Sequence, residues 1–263
     1  MKVLVTGGSG FLGKALCRAL LAQGDDVTSL QRHHSVELEH FGVRQVLGAL
    51  DDADRVRQAL HGVDAVIHNA AMASGWGAWE DYYRTNVTGT NCLLQACRAS
   101  NIRRFVYTST PSVVHAGRTP VAGGNERDTP YGTRFSAHYP HTKMLAERAV
   151  LAANDPALAT VALRPRLIWG PGDTQLLPRL VERAKAGRLR FIGDGNNRMD
   201  CTYIDNVVDA HLLALARIEP GAACAGKAYF ISNGEPWPIR DIVNGLLAAA
   251  DAPLVEKALP FPV

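Results

Sequence analysis

A glycine-rich turn near the start of the chain constrains the fold more than any other feature. Val3-Leu4-Val5-Thr6 runs directly into Gly7-Gly8-Ser9-Gly10-Phe11-Leu12-Gly13, which opens a segment of helical periodicity. Gly7 permits a sharp turn, Gly10 lets the backbone approach a pyrophosphate, and Gly13 lets the helix pack closely on the strand. The N-terminus of such a helix offers free N–H groups and a partial positive charge to phosphates. This order of strand, turn and helix predicts a dinucleotide site, whose predicted contacts are Gly7, Gly10, Phe11, Leu12 and Gly13.

A competing phosphate-binding motif nearly fits the same segment. Gly8 is followed after four residues by Gly13-Lys14, as in a P-loop. That motif needs Ser or Thr after the lysine because the hydroxyl binds Mg²⁺, whereas this chain has Ala15. The turn is therefore interpreted as a dinucleotide site and not as a nucleoside-triphosphate site.

The remaining sequence alternates short apolar runs with longer segments of helical periodicity. The strand candidates are residues 2–6, 26–31, 43–48, 64–68, 103–109, 159–165 and 228–232. The helix candidates are residues 11–24, 52–61, 78–99, 138–153, 174–186, 205–217 and 238–250. This alternation is typical of a parallel sheet covered by helices on both faces, so we predict an α/β fold with a doubly wound parallel sheet.

The alternation loosens after the strand candidate at 159–165, where the Gly- and Pro-rich segment 169–173 follows. We expect a dinucleotide-binding Rossmann domain over residues 1–165 and a small substrate-binding lobe over residues 166–263. The strand candidate near 228–232 is expected to return to the main sheet. The two parts would then be interwoven and not joined by a linker.

Charge and hydropathy exclude several classes of partner. The 28 basic and 25 acidic residues give a formal net charge of +3 and form no long run of one sign, so nucleic acid is not expected to bind. No apolar run reaches the roughly 20 residues that a membrane helix needs, and the N-terminus does not resemble a signal peptide. We expect a soluble, cytoplasmic protein without a membrane span.

The cysteines and histidines do not form a recognisable metal site. The five cysteines contain no Cys-x-x-Cys pair, and the nine histidines show no His-Glu-x-x-His spacing. We expect reduced cysteines and no metal.

A tyrosine and a lysine at helical spacing are the strongest chemical signal. Tyr139-Pro140-His141-Thr142-Lys143 lies where a helix is predicted to begin, and Tyr139 alone among the seven tyrosines has a lysine four positions on. Residues i and i+4 share one helix face, so the Lys143 ammonium is expected near the phenol and a cofactor ribose. A nearby positive charge would lower the tyrosine pKa toward working pH, as a general acid or base requires. The alternative is a Tyr–Lys pair packed on a helix surface without a chemical role.

These motifs together resemble the extended short-chain dehydrogenase/reductase superfamily. Two further segments carry the resemblance, His68-Asn69-Ala70-Ala71 and Asn86-Val87-Thr88-Gly89-Thr90. The resemblance implies that Asn69, Ala70 and Ala71 lie beside the cofactor and that Asn86 braces the active site. It also implies that Thr110 occupies the Ser/Thr position that hydrogen-bonds the substrate oxygen, with Ser109 and Ser112 as alternates, and that Tyr139 and Lys143 are catalytic and contact the cofactor.

The end of the second strand bears on the choice of nicotinamide cofactor. NAD-preferring members have an Asp there that binds both ribose hydroxyls, whereas this chain has Gln31 followed by Arg32. A guanidinium pairs well with a 2′-phosphate, so NADP(H) is preferred and NAD(H) remains possible. Ala49 stands where the family often has an Asp near the adenine, and Asp51 is retained as a candidate cofactor contact.

The substrate class is predicted from residues that differ from the sugar-nucleotide enzymes of the superfamily. Leu167 and Met199 stand where those epimerases and dehydratases have the Asn and Arg that hold a sugar diphosphate. The pattern is similar to the 3β-hydroxysteroid dehydrogenase branch, and within it to the 2-alkyl-3-oxoalkanoate reductases of bacterial long-chain olefin synthesis. Trp76, Leu167, Trp169 and Met199 are candidate contacts to a small hydrophobic substrate, although each also fits an ordinary core position.

The resemblance implies interconversion of a ketone and a secondary alcohol on a hydrophobic substrate. The alternatives are a nucleotide-sugar epimerase or dehydratase that uses tightly held NAD, and a noncatalytic NADP-binding sensor. Relatives continue beyond Leu259-Pro260-Phe261-Pro262-Val263, so the substrate lobe is expected to be truncated. A homodimer through the helices near 78–99 and 138–153 is possible.

Overall fold

The computed structural model describes residues 1–73, 76–115 and 121–260. Gly75, which precedes Trp76 in one of the segments resembling the family, and the last three residues, 261–263, lie outside the described ranges. The strands are β1 (Lys2–Thr6), β2 (Asp26–Gln31), β3 (Arg44–Leu47), β4 (Ala65–His68), β5 (Arg104–Thr108), β6 (Ala159–Pro165), β7 (Ile168–Trp169), β8 (Phe191–Ile192), β9 (Arg198–Met199), β10 (Thr202–Tyr203), β11 (Lys227–Ile231), β12 (Trp237–Pro238) and β13 (Ala258–Leu259).

The helices alternate with these strands along the first two thirds of the chain. They are α1 (Phe11–Ala22), α2 (Val36–His40), α3 (Ala53–Leu60), α4 (Trp79–Tyr83), α5 (Gly89–Ala99), α6 (His138–Ala152), α7 (Leu176–Lys185), α8 (Ile204–Arg217) and α9 (Ile239–Ala249). A π-helical turn, Arg84–Thr88, joins α4 to α5, and a short 3₁₀ turn, Pro111–Val113, follows β5.

Seven parallel strands form the main sheet in the order β11-β6-β5-β4-β1-β2-β3. The central strands are buried along their whole length, which agrees with their continuous apolar sequence. The chain proceeds outward in both directions from β1, so the strand order reverses between β1 and β4. Ligands of open α/β sheets bind outside the carboxyl ends of strands at such a reversal.

The chain folds into two compact units. The first comprises residues 1–165 and 207–231, and it contains the main sheet. A hydrophobic cluster packs α3, α5 and α6 against the sheet, with Leu93, Phe105 and Val150 fully buried.

The second unit comprises residues 166–206 together with the described residues from 232 onward. It contains α7, α9 and three two-stranded ladders, β7 with β10, β9 with β12, and β8 with β13. A small core of Ala184, Phe191, Leu247, Ala252 and Val255 lies between its helices and loops.

Candidate active site

The glycine-rich turn has the shape that a dinucleotide pyrophosphate requires. Gly7 has φ +71° and donates its N–H to the Leu30 carbonyl at 2.8 Å. A Cβ at Gly13 would lie 2.1 Å from the Gly7 carbonyl oxygen, so the helix can approach the strand only with glycine there. A Cβ at Gly10 would meet only the Gly7 oxygen, at 3.3 Å, so the space outside Gly10 is open to a ligand. The turn therefore fits a bound pyrophosphate at the N-terminus of α1.

The turn that follows β4 packs directly against the glycine-rich turn. A Cβ at Gly7 would lie 2.9 Å from the Ala70 Cα. The Thr6 hydroxyl oxygen accepts hydrogen bonds from the N–H groups of Asn69 and Ala70 at 3.1 and 3.0 Å. Asn69, Ala70 and Ala71 are half-buried beside the open side of the glycine-rich turn, which is where sequence analysis predicts the cofactor.

The end of β2 offers a guanidinium and no carboxylate. Gln31 is 6% exposed, and its amide is engaged by the side chains of Ser29 and Gln45. The Ser29 hydroxyl also accepts from the Gly8 N–H at 3.2 Å, so Gln31 is tied to the glycine-rich turn through one intervening side chain. Arg32, the next residue, is exposed. Asp51 is also exposed and lies 4.0 Å from the Arg84 Nε.

Tyr139 lies in the first turn of α6, with the Thr110 hydroxyl close to its phenol. Burial raises the pKa of Tyr139 to about 12, because removal from water disfavours the phenolate, and the nearby Thr110 hydroxyl lowers it in part. The expected lowering of this pKa was wrong, since the desolvation of the phenol is larger than the stabilisation of the phenolate by its neighbours. A phenol with a raised pKa stays protonated at neutral pH, so it holds a proton to donate, but it is a weaker acid than one whose pKa lies near the working pH.

The three hydroxyls considered after β5 have different surroundings. Thr110 lies close to the Tyr139 phenol and donates to the Ser112 hydroxyl at 3.2 Å. Ser109 is buried, and its hydroxyl has no hydrogen-bond partner among the described residues. Of the three, Thr110 is the hydroxyl that the structure brings to the phenol.

Lys143 lies one turn beyond Tyr139 and points into the interior. Its side chain is 2% exposed, its ammonium donates to the Thr108 carbonyl at 2.7 Å, and its Nζ lies 4.1 Å from the centroid of the Tyr107 ring. Burial lowers the pKa of Lys143 to about 7, and the nearby carboxylate of Glu147 raises it in part. The ammonium is therefore held by a carbonyl and an aromatic face at the end of β5.

A buried ion pair behind Lys143 was not predicted from the sequence. Arg164 donates to Glu147 from Nη2 at 2.6 Å and from Nε at 3.0 Å, and the Tyr131 hydroxyl donates to the same carboxylate at 2.7 Å. Glu147 follows Lys143 by four residues on α6. That spacing would have suggested a Lys143–Glu147 pair on α6, and nothing in the sequence indicated Arg164 on β6 as the partner of Glu147.

Asn86 lies in the π-helical turn and is 2% exposed. Its side-chain oxygen accepts from the Met72 N–H at 2.7 Å, and its amide donates to the Met72 carbonyl at 3.1 Å and to the Thr142 hydroxyl at 3.0 Å. A π-helical turn is a common feature of functional sites, because it re-aims a side chain within a helix. Here the π-helical turn directs the Asn86 side chain between Met72, which follows the turn after β4, and Thr142 on α6.

The candidate substrate residues fall in different parts of the chain. Trp76 belongs to the first unit and is 94% exposed, so it is not a core residue there. In the second unit, Leu167 has φ +35°, Trp169 packs edge-on against Tyr203 at a ring distance of 5.1 Å, and Met199 is paired with Trp237.

None of the helices in the described ranges has the length and apolar character needed to cross a membrane. Within the same ranges, no group of three or more His, Cys, Asp or Glu side chains is arranged to hold a metal ion. The five cysteines, Cys17, Cys92, Cys97, Cys201 and Cys224, are free thiols.

Comparison with known proteins places the chain among dehydrogenases and reductases. The sequence model of the 3-beta hydroxysteroid dehydrogenase/isomerase family matches residues 4–262. A 2-alkyl-3-oxoalkanoate reductase from Stenotrophomonas maltophilia is 59% identical over 261 residues, covering 99% of this chain and 79% of that protein. A 2-alkyl-3-oxoalkanoate reductase from Shewanella oneidensis is 44% identical, covering 97% and 68%. Among solved structures, a dTDP-glucose 4,6-dehydratase from Streptomyces venezuelae, in complex with NAD, superposes with a TM-score of 0.84 at 27% identity, covering 100% and 85%.

Proposed function

Because the chain belongs to the 3-beta hydroxysteroid dehydrogenase/isomerase family, we propose that it is an NADP(H)-dependent reductase that converts the ketone of a 2-alkyl-3-oxoalkanoate to a secondary alcohol. The observation that carries the proposal is the closeness of the Thr110 hydroxyl to the Tyr139 phenol at the carboxyl end of β5. It brings a proton donor and a second hydroxyl to one place on the sheet edge where this fold binds ligands. The high identity to two proteins of that name supports the choice of substrate.

The residues that would hold the cofactor lie along the same edge of the sheet. Gly7, Gly10 and Gly13 would hold the pyrophosphate at the N-terminus of α1, and the turn 69–71 would lie against the dinucleotide. Arg32 would pair with a 2′-phosphate, and Gln31 carries no charge that would repel it. These features support NADP(H) over NAD(H).

The chemistry of reduction divides between the cofactor and the protein. When bound, a nicotinamide cofactor supplies the hydride. Tyr139 donates a proton from its hydroxyl to the carbonyl oxygen, and the Thr110 hydroxyl donates a hydrogen bond that orients the same oxygen. Because the pKa of Tyr139 is raised to about 12, the phenol is protonated at neutral pH, which favours the reductive direction. Lys143 would hold the ribose with its ammonium, as the resemblance implies.

The free thiols support a reducing, cytoplasmic location. We also propose a homodimer through the helices α5 and α6. Light scattering that finds only monomer at micromolar protein concentration would contradict it.

The decisive experiment is an NADPH oxidation assay with purified protein and a 2-alkyl-3-oxo acid. We expect turnover with NADPH that falls by about 10³-fold in Tyr139→Phe, because the variant keeps the ring and loses the proton donor. Tyr83→Phe is the matched control, since that tyrosine is exposed on α4 and should retain full activity. Turnover of a uridine diphosphate sugar with tightly held NAD, and none of the 3-oxo acid, would overturn the proposal.

A further inference from the structure

A buried run of hydrogen bonds joins the strand-end turn at residues 69–71 to the first turn of α6. It passes through His68, which is fully buried at the end of β4. The His68 Nδ1 lies 2.7 Å from the Thr6 hydroxyl, and its Nε2 lies 2.9 Å from the Thr90 hydroxyl. Both ring nitrogens therefore have a threonine partner, one on β1 and one on α5.

The direction of each hydrogen bond follows from the donors available. The Thr6 oxygen already accepts from the N–H groups of Asn69 and Ala70, so its single hydrogen must point to the His68 Nδ1. Nδ1 is then an acceptor, and the neutral imidazole carries its hydrogen on Nε2. This Nε2–H donates to Thr90, whose hydroxyl donates in turn to the Asn86 carbonyl at 2.6 Å.

The run continues from Asn86 to the helix that carries Tyr139. The Asn86 amide donates to the Thr142 hydroxyl, and the single hydrogen of that hydroxyl is shared between the carbonyls of His138 and Tyr139 at 2.9 and 3.1 Å. Every member named here is buried or lies in the backbone of a described element. Each hydroxyl donates its one hydrogen toward α6, so the hydrogen bonds of the run all point in the same direction.

We propose that His68 is a positioning residue held as the Nε2–H tautomer. Its ring fixes the strand-end turn, which lies beside the glycine-rich turn, relative to the first turn of α6. Only the expected effect on turnover rests on the proposed function. The tautomer and the coupling between Thr90 and the turn are properties of the folded protein itself.

A second contact supports a neutral ring at this position. The His68 ring packs against Tyr107 with a centroid distance of 5.4 Å, and the Lys143 ammonium lies over the same tyrosine. A protonated His68 would bring a second positive charge to the ring that the Lys143 ammonium already contacts. It would also place a hydrogen on Nδ1, so Thr6 would have to accept a third hydrogen bond or release an amide of the turn.

The test removes the acceptor of the Nε2–H while preserving shape. In Thr90→Val the Nε2–H loses its acceptor and the Asn86 carbonyl loses its donor, while the Thr6 hydroxyl still donates to Nδ1. The ring should therefore keep its tautomer but lose its anchor on α5, and the Thr6 oxygen that accepts from the turn should be held less firmly. ¹⁵N NMR of histidine-labelled protein, assigned with His68→Gln, should show Nε2–H in both proteins, with the Nε2 resonance shifted in Thr90→Val because its hydrogen bond is lost. The amides of Asn69 and Ala70 should exchange about ten-fold faster in the variant.

Two variants serve as controls. Thr90→Ser keeps the hydroxyl and should show the native Nε2 resonance and exchange rates. Thr160→Val removes another buried hydroxyl that donates to a helix carbonyl, that of Val150 at 2.8 Å, outside this run, and should change neither. We expect kcat with NADPH and the 3-oxo acid to fall about ten-fold in Thr90→Val and to stay unchanged in Thr160→Val.

Two results would overturn the inference. One is a native His68 that carries its hydrogen on Nδ1. The other is exchange at Asn69 and Ala70 that responds equally to Thr90→Val and Thr160→Val. If the native protein reduces no ketone while the Nε2–H tautomer and the faster exchange in Thr90→Val are observed, the proposed function fails and the positioning role of His68 stands.

Discussion

Arg164 and Glu147 form an ion pair in the interior of the first unit, with two hydrogen bonds of 2.6 and 3.0 Å between guanidinium and carboxylate. The side chains are 4% and 0% exposed, and the guanidinium also lies over the rings of Tyr131 and Phe230. The pair joins α6 to β6 directly behind Lys143. Removing one partner would leave the other charge buried and unpaired.

We predict that Glu147→Gln lowers the free energy of unfolding by about 3–5 kcal/mol, because Arg164 loses its counter-charge in the interior. Urea unfolding followed by circular dichroism measures this change. The matched control is the double variant Glu147→Leu with Arg164→Met, which removes both charges and should lie closer to the native protein. A single variant within about 0.5 kcal/mol of the native protein would show that the pair contributes little.

The shifted pKa values of Tyr139 and Lys143 predict opposite pH dependences for the two reaction directions. Reduction needs the phenol, which is protonated throughout neutral pH because its pKa is about 12. It also needs a charged Lys143, whose ammonium loses its proton as pH rises through about 7. The kcat/KM for ketone reduction should therefore fall as pH rises through about 7, while oxidation of the alcohol, which needs the phenolate, should increase with pH.

Stopped-flow measurement of kcat/KM between pH 5.5 and 9.5 checks this dependence, since kcat/KM reports the groups of the free enzyme. Lys143→Arg keeps a charge at every pH and should flatten the fall in reduction if the variant retains activity. A rate of reduction that increases through pH 7 in the native protein would contradict the assignment of the lysine.

The main sheet could be predicted from the sequence because buried parallel strands are continuous apolar runs bounded by turns. The strands at 2–6, 26–31 and 159–165 were predicted with the observed bounds, and the other four differ by one residue at one or both ends. The predicted helix 78–99 is interrupted by a π-helical turn that does not disturb the apolar period. The ladders of the second unit have two residues per strand, which is too short for an alternating pattern.

The candidate site was predicted less completely than the sheet. The pKa values of its residues were predicted least well. Spacing on a helix placed Tyr139 and Lys143 one turn apart, as observed. The sequence could not show that the ammonium donates to the Thr108 carbonyl, because a long side chain has many rotamers and burial selects the one with a partner. The direction of the Tyr139 pKa shift was predicted wrongly, because desolvation of the phenol depends on the packing of elements that are distant in sequence.

We predict that Arg32→Ala lowers kcat/KM for NADPH by about ten-fold and leaves that for NADH within two-fold, because only NADPH carries a 2′-phosphate for the guanidinium to bind. Arg32 is exposed, so the substitution should not change stability. Steady-state rates with each cofactor at fixed ketone measure the effect. Arg55→Ala, at another exposed arginine, controls for the loss of one positive charge. Equal losses for both cofactors would contradict a specific role.

The backbone of Leu167 gives a prediction in which stability and activity change in opposite directions. Leu167 has φ +35°, in the left-handed region that a leucine rarely adopts and that asparagine tolerates well. We expect Leu167→Asn to raise the free energy of unfolding by about 1 kcal/mol, because the backbone strain is relieved, and to lower kcat/KM for an alkyl ketone by about ten-fold, because it would remove the apolar substrate contact predicted from the sequence. Leu167→Ala removes the same contact without relieving the strain, so it should lose activity and gain no stability. Urea unfolding and the NADPH assay on all three proteins separate the two effects. A less stable Leu167→Asn would show that the packing of the leucine outweighs its backbone strain.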